Sequence, residues 1–396
     1  MTNVTWTQDK GLCFGCGACY VACPQEAIKI VNQGRNNSPV IDDNCTSCGI
    51  CTKVCSGQHS ESNESHSHFL KALRYGKDIY LAFSRKENIR RKGTSGGFVT
   101  QYLIDLLRKQ VIDGAIVSTS DGTLESTKAI VARTEAEIVN SIGSKYYPVS
   151  NCAALKNIKP NEKYAFVGKG CDLSSLKLLQ ETMAEYHGAI YVKIGIFCHH
   201  TPHANASRQL LKSYGFGPRD IIVYRGRGWP GQTVLRGDNK ETIIDYQESW
   251  GQCLGKVEHI PYRCAICTHS FAQCADIAVG DAWALNPDMD NKQEGFSLVL
   301  AYTEKGKNEI QRLKKSGTID VKAADRDLLR SSQHNLIRKD EIANYRLFVL
   351  RLLNKTSPLN HIGYLSSLTS FCRFLITRGF SPSKLLSAVK FAIQNR

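Results

Sequence analysis

Residues 13–24, CFGCGACYVACP, and residues 45–55, CTSCGICTKVC, repeat one cysteine spacing twice. Three thiols at three-residue steps (Cys13, Cys16, Cys19, and again Cys45, Cys48, Cys51) suit a tight loop wrapped on one face of an iron–sulfur cube. The fourth thiol of each run, Cys23 or Cys55, lies where it can start a helix and reach the other cube. The expected ligand sets are therefore Cys13, Cys16, Cys19 and Cys55 for one cluster and Cys45, Cys48, Cys51 and Cys23 for the other. Gly15, Gly17 and Gly49 allow the backbone to approach inorganic sulfur closely. A disulfide framework fits poorly with a chain that shows no signal peptide, and zinc sites rarely use two full four-cysteine runs. The spacing thus predicts a small ferredoxin-like domain over residues 1–57 with two [4Fe–4S] clusters, its short strands at 27–31 and 39–41.

Working outward, the chain has 396 residues, 42% of them hydrophobic, enough for more than one ordinary core. Residues 1–11 are polar, with no hydrophobic export segment, and no run of 18 or more apolar residues follows. Sixteen cysteines in such a chain point to a reducing compartment, the cytoplasm, and to metal ligation. The net charge of +15 sits downstream: residues 344–396 hold eight Lys/Arg and no Asp/Glu. A basic surface attracts an acidic electron donor such as a small ferredoxin or flavodoxin, or an anionic membrane face at the inner side of the membrane. No aromatic-basic module for nucleic acid is visible.

The polar run 59–68, with three histidines and no apolar residue, reads as a linker over 58–69 rather than a metal site. Beyond it, strand and helix signals alternate. Strands are expected at 79–83, 114–118, 164–167 and 189–197, and helices at 98–107 and 174–186. This pattern predicts a larger α/β domain over 70–325 with a partly parallel sheet, followed by a basic helical extension over 326–396. In that tail, Leu385, Val389 and Ile393 form an apolar stripe that suits either anionic lipid or the protein's own core.

Further chemistry clusters where strands end. Cys171 and Cys198 each follow a strand of one βαβ unit, so both emerge on the same sheet edge, about 5 Å apart if the strands are neighbours. Cys264-x2-Cys267, with Cys274 further on, can supply the rest of a third [4Fe–4S] cluster, although zinc or a redox dithiol also fits a lone CxxC. Cys152, Cys253 and Cys372 look like inert buried thiols. Thr94-Ser95-Gly96-Gly97 precedes a helix; Ser or Thr can cap it, while Gly96 and Gly97 leave backbone N–H groups for a pyrophosphate, with Arg90, Arg91 and Lys92 alongside. Asp276, Asp281 and Trp283 suit cofactor contact or ordinary turns. His199 and His200 follow Cys198, where they could supply protons or simply pack.

These segments, in this order, resemble the coenzyme F420 hydrogenase/dehydrogenase beta-subunit family. The resemblance rests on Thr94-Ser95-Gly96-Gly97, Gly143-Ser144-Lys145-Tyr146, Val167-Gly168-x2-Cys171, Phe197-Cys198 and Tyr224-Arg225-x-Arg227-Gly228-Trp229. It continues through Cys264-x2-Cys267, Ala275-Asp276-Ile277-x2-Gly280-Asp281-x-Trp283 and Gly295-x-Ser297-Leu298-Val299, covering about residues 70–310. It implies a noncovalent FAD, a core cluster on Cys171, Cys198, Cys264 and Cys267, and electron exchange between ferredoxin-type clusters and flavin. Thr94, Ser95, Gly96 and Gly97 would then face FAD phosphates, and Asp276, Asp281 and Trp283 the flavin or cluster pocket. The family loop Gly-x-Pro-Cys-Gln is altered here, with Lys169, Gly170 and Asp172 around Cys171. Family members act on the deazaflavin coenzyme or on other organic molecules, and this chain looks like the bacterial members that resemble accessories of surface-polysaccharide gene clusters. The expected function is an iron–sulfur flavoprotein oxidoreductase; the rival is a non-catalytic electron-transfer subunit docked on a larger oxidoreductase.

Overall fold

The computed structural model describes residues 3–32, 34–58, 76–226, 228–285, 294–353 and 380–394; the run 59–68, Arg227 and Cys372 lie outside them. In the N-terminal unit, strands β1 (Ile28–Asn32) and β2 (Asn37–Ile41) form an antiparallel hairpin with Ile28 opposite Ile41. Helices Ala18–Ala22 and Ile50–Lys53 follow the two cysteine loops. Each helix starts on a left-handed glycine, Gly17 at φ +86° and Gly49 at φ +77°, a conformation that strains any residue with a Cβ. Those two turns bring the third cysteine of each run onto a helix.

The rest of the chain builds β3 (Ile79–Ser84), β4 (Gly114–Thr119), β5 (Lys128–Ala132), β6 (Tyr164–Lys169), β7 (Ile190–Ile196), β8 (Ile221–Gly226), β9 (Gln232–Arg236), β10 (Glu241–Ile244), β11 (Ile277–Asp281), β12 (Ser297–Ala301) and β13 (Ile319–Ala323). Eight of these form one sheet in the order β13-β3-β12-β11-β7-β6-β4-β5, and β10-β9-β8 form a separate antiparallel sheet. The four central strands β11, β7, β6 and β4 run parallel, flanked by antiparallel neighbours. Strands such as β12 are buried throughout, which explains their continuous apolar sequence.

Helices Phe98–Arg108 and Glu304–Ser316 cover one face, where Tyr102, Leu103, Ile310 and Leu313 pack with the sheet. Helix Gly170–Thr182 covers the other, through Leu173, Leu176 and Leu179. Ala18, Val21, Ala22 and Val54 of the N-terminal unit join that same core, so the unit is docked on the sheet domain. The helix begins at Gly170, four residues before the expected start, which puts Cys171 in its first turn.

The C-terminal helices Arg326–Ser332, His334–Leu352 and Pro382–Gln394 fold back on the molecule. Tyr345, Leu350, Ala388 and Ala392 share a core with Leu12 and Ile266, and Leu385 and Val389 pack against it. Two of the three residues of the tail's apolar stripe are therefore covered by protein rather than presented to lipid; Ile393 is 52% exposed. Among the described residues no helix is long and apolar enough to cross a membrane.

Strand direction decides where chemistry can gather. The C-terminal ends of β3, β4, β6, β7 and β11 and the N-terminal end of β12 all lie along one sheet edge, the edge where α/β folds place ligands.

Candidate functional site

Cys13, Cys16, Cys19 and Cys55 line one small internal cavity together with Gly15 and Gly17. Burial, then the charge of neighbouring thiolates, pushes Cys13 up to about 12 and Cys55 to about 11. Cys16 goes the other way: a hydrogen bond from Cys152 outweighs burial and, with Ser175, brings it down to about 7. Cys152, read from sequence as inert, thus touches a member of this quartet. On the far side, burial raises Cys51, and Cys48, Cys23 and Cys45 act on it electrostatically. The fourth cysteine of each run therefore stands with the other run's first three. Cys48 is exposed, while the Cys13 quartet is enclosed.

A second internal cavity is lined by Cys171, Cys198, Cys264 and Cys267, and also by Cys13. Adjacent parallel strands set its geometry: Gly168 on β6 pairs with Gly195 on β7 and Lys169 with Ile196, so the residues that follow emerge side by side. Cys264 sits on the short helix Tyr262–Ala265, and Cys267 on the loop after it. Burial, then Cys264, pushes Cys198 up to about 12. Cys274 packs against the apolar core instead, and Cys171 is the cysteine that lines the cavity with the other three. Among the described residues no three or more His, Cys, Asp or Glu side chains close on a point as ligands of a single ion would. The Cys13 and Cys171 quartets each surround a cavity.

The altered loop around Cys171 has a compensating structure. Lys169 Nζ lies 2.9 Å from Asp172 Oδ2, which also accepts from Lys169 N at 2.9 Å and from Asn151 Nδ2 at 3.0 Å. Burial acts to lower the Lys169 ammonium, but Asp172 and Cys171 outweigh it and raise it. At Gly170 a Cβ would fall 1.9 Å from His269 O, so only glycine lets the His269 loop close over the helix start.

Cys198 and Cys264 also line a much larger cleft of about 2030 Å³ along the same sheet edge. Thr94, Ser95 and Gly97 form part of its wall, with Phe98, Val99 and Thr100 from the first turn of the following helix. The N–H groups of that turn have no acceptor within the helix, which suits an anionic ligand. Two expectations change here. The helix is preceded by Gly97 at φ +68° with no side-chain cap, so neither Thr94 nor Ser95 caps it. Gly96 does not face the cleft: its N–H donates to Ser297 Oγ at 3.1 Å, and a Cβ there would meet Ala82 O at 2.6 Å. Gly96 is glycine because the loop lies directly on the sheet. Arg90 is also engaged, 2.9 Å from Glu294 and 3.8 Å above the Phe83 ring.

The organiser of the cleft is Arg225. Its guanidinium makes two 2.8 Å bonds to the Asp281 carboxylate, donates to Thr94 O at 2.5 Å and to Pro230 O at 2.8 Å. One side chain thus joins the 94–97 loop, the turn containing the cis Trp229–Pro230 bond and the end of β11. Arg225 itself has φ +52°, rare for a residue with a Cβ, where the β8–β9 register shifts. Around it stand Trp283 and Tyr246, 5.0 and 5.4 Å from the guanidinium, with Trp229 against Trp283 at 5.3 Å and Trp250 beside Tyr246 at 6.0 Å. Asp281 and Trp283 therefore line the cleft as expected, Asp281 as the partner of Arg225. Asp276 does not. It sits at the opposite sheet edge, before β11, where it accepts from Lys193 N at 2.9 Å and from Thr303 Oγ1 at 2.8 Å. Strand β11 carries the two acids to its opposite ends, so they cannot share a pocket.

His199 and His200 meet Nδ1 to Nδ1 at 2.9 Å, and His200 Nε2 lies 3.0 Å from Leu254 O. A carbonyl only accepts, so His200 donates through Nε2 and accepts at Nδ1, and His199 donates from Nδ1. Burial pulls them down to about 3 and about 4, which keeps both neutral near pH 7. The pair is a packed, hydrogen-bonded wall between the Cys198 cavity and the cleft. Sequence reading passed over Arg225, Tyr246 and Trp250 as site residues; the dense Tyr-Arg-x-Arg-Gly-Trp segment was the available signal. It also missed that Arg338, Arg346 and Lys390 of the tail line the cleft.

Thiol cages at one end and an α/β cleft at the other define an iron–sulfur electron-transfer protein of the oxidoreductase class. The chain belongs to the coenzyme F420 hydrogenase/dehydrogenase beta-subunit family: residues 79–156 match its N-terminal part and 161–327 its C-terminal part, while 12–58 match a 4Fe-4S dicluster domain. Similar proteins include the coenzyme F420 hydrogenase subunit beta of Methanococcus voltae, 27% identical over 63% of this chain and 85% of that protein. Another is the coenzyme F420-dependent sulfite reductase of Methanocaldococcus jannaschii, 26% identical over 76% of this chain but only 46% of that protein. In fold, the chain resembles a chain of the xenon-derivatised F420-reducing [NiFe] hydrogenase complex from Methanosarcina barkeri, with TM-score 0.53 and 18% identity over 69% of this chain and 93% of that one.

Proposed function

We propose that this chain is an iron–sulfur flavoprotein that passes electrons through three [4Fe–4S] clusters to or from FAD in the cleft, and so to or from an organic substrate or a deazaflavin-type coenzyme. The observation that carries this reading is the sharing of walls. Cys13 lines both its own quartet's cavity and the Cys171 quartet's cavity; Cys198 and Cys264 line both that cavity and the cleft. The enclosed thiols and the close approach of glycine backbone fit cubane clusters. The cleft fits FAD through the free N–H groups at 98–100, the 94–97 loop and the aromatic wall of Trp229, Tyr246 and Trp283. Bound flavin supplies the exchange between single electrons and a two-electron reaction. In this arrangement Arg225 orients the 94–97 loop, and the neutral His199–His200 pair excludes charge and water between cluster and cleft.

The exposed Cys48 makes the second run the entry point for an external ferredoxin or flavodoxin, or for a partner subunit, since relatives are named as hydrogenase and dehydrogenase subunits. The resemblance to polysaccharide-cluster members directs the substrate search to sugar-linked compounds as well as deazaflavins. Purification without oxygen, with assay of iron, acid-labile sulfide and released flavin, tests the reading. Roughly twelve irons and one FAD per chain support it; roughly eight irons and no flavin refute it and leave a two-cluster carrier. Failure of a reduced deazaflavin to bleach the bound flavin would remove that coenzyme alone.

A further inference from the structure

Arg263 has no role in holding thiols or lining the cleft, yet it is 3% exposed. It precedes Cys264 on helix Tyr262–Ala265 and points towards the N-terminal unit. Its guanidinium stands 4.3 Å from the centre of the Phe14 ring, beside Cys13, and its Nη2 donates to Ser56 O at 3.4 Å, beside Cys55. Its Nε is buried without a hydrogen-bond partner. The charges that act on it are those of Cys267, Cys264 and Cys171 on one side and Cys55 on the other; among the described residues no Asp or Glu forms an ion pair with it. An enclosed cation without a counter-charge is strongly unfavourable, so something anionic must lie within reach.

We propose that Arg263 is the shared counter-charge of two cluster sites, the Cys13 quartet and the Cys171 quartet, and raises both reduction potentials together. The proposal rests on the relay reading above. A cysteine-ligated four-iron cluster has net negative charge, which grows when an electron arrives, and cluster potentials follow local charge and burial. A fixed cation between two such cages stabilises the reduced form of each. The guanidinium stays protonated throughout, so the electron arrives without a proton. Its contacts with Phe14 and Ser56 adjoin Cys13 and Cys55 rather than Cys23 or the 45–51 loop, so it serves the Cys13 quartet and not the Cys23 and Cys45–Cys51 quartet. Arg263 would thereby make the inward steps favourable relative to the exposed entry cluster.

The test is reduction of the anaerobic protein at controlled potential, followed by EPR, with R263Q and R263K compared at equal iron content. R263Q should lower the midpoints of two clusters by a tenfold or greater change in occupancy, 59 mV for a one-electron couple, and leave the third unchanged. R263K should restore most of the shift. Unmoved midpoints, or an equal shift of all clusters, would overturn the proposal, as would an R263K shift as large as that of R263Q. If R263Q does not retain iron, recovery of full iron in R263K supports a charge requirement, and loss in both variants overturns it. Should the wild-type protein contain only eight irons, the relay reading fails by the iron count. The shared role then falls with it, whereas unmoved midpoints in a protein holding its full iron overturn the proposal alone.

Discussion

The N-terminal unit and the sheet domain build the same kind of thiol cage in different ways. Around Cys13 and Cys45, short loops and the left-handed turns at Gly17 and Gly49 place three thiols each, and only the fourth comes from the other cysteine run. Around Cys171 no loop does this. Its thiols come from the end of β6, the end of β7 and the 262–267 segment, and they meet because β6 and β7 are parallel neighbours in register. A locally built cage tolerates change elsewhere; one built by a sheet edge inherits every error in strand register and packing.

Cysteine substitutions break this comparison most severely. C198S or C264S should remove the core cluster, roughly a third of the iron, and leave the EPR signals of the other two clusters. Loss of all clusters in either variant would show that the cages are not independent. Next in size is R225M. It leaves the half-buried Asp281 carboxylate without its partner, a loss of about 3 kcal/mol in denaturant unfolding, together with loss of bound flavin. Retained flavin at wild-type stability would remove Arg225 as organiser of the cleft.

Gly170→Ala probes the sheet-built cage from outside its ligands. The added methyl meets His269 O, so overpacking should destabilise by about 1–3 kcal/mol and deplete the core cluster while sparing the N-terminal pair. Equal depletion of all three would mean the chain is destabilised as a whole. Asp276→Asn is smaller again. It weakens one strand-end hydrogen bond at about 1 kcal/mol and should leave flavin content unchanged, whereas Asp281→Asn should lower it.

The smallest effect is one of pH. Burial, with Arg35 and His259 adding, pulls His203 from its usual 6.5 down to about 4. The unfolded chain therefore binds the proton first as pH falls. The stability His203 contributes is fully present above about 6.5 and is lost progressively towards pH 4. H203Q should flatten that part of the melting-temperature profile; an unchanged slope would assign the acid sensitivity elsewhere.

Much of this was legible in residue order. The strands at 79, 114, 164 and 190 and the helix at 98 announced themselves by apolar period, and the altered loop at Lys169–Asp172 was visible as an oddity. What could not be read was which end of a strand faces which neighbour. Asp276 and Asp281 looked equivalent, yet β11 carries them to opposite edges. Thr94–Gly97 looked like four equal contacts, but Gly96 is turned to Ser297 by the strand beneath it. The apolar stripe of the tail looked equally suited to lipid, and only packing against Leu12 and Ile266 showed what covers most of it.

By itself the sequence determined the two N-terminal cysteine runs and their exchange of fourth ligands, because metal-loop spacing is a local property of the chain. Tertiary structure decided the rest: that Cys171 rather than Cys274 completes a third cage, that Cys13 borders two cavities, and that Arg225 and Arg263 stand at their junctions. Those depend on parallel pairing of distant strands and on docking of the N-terminal unit against helix Gly170–Thr182, contacts between residues more than a hundred positions apart.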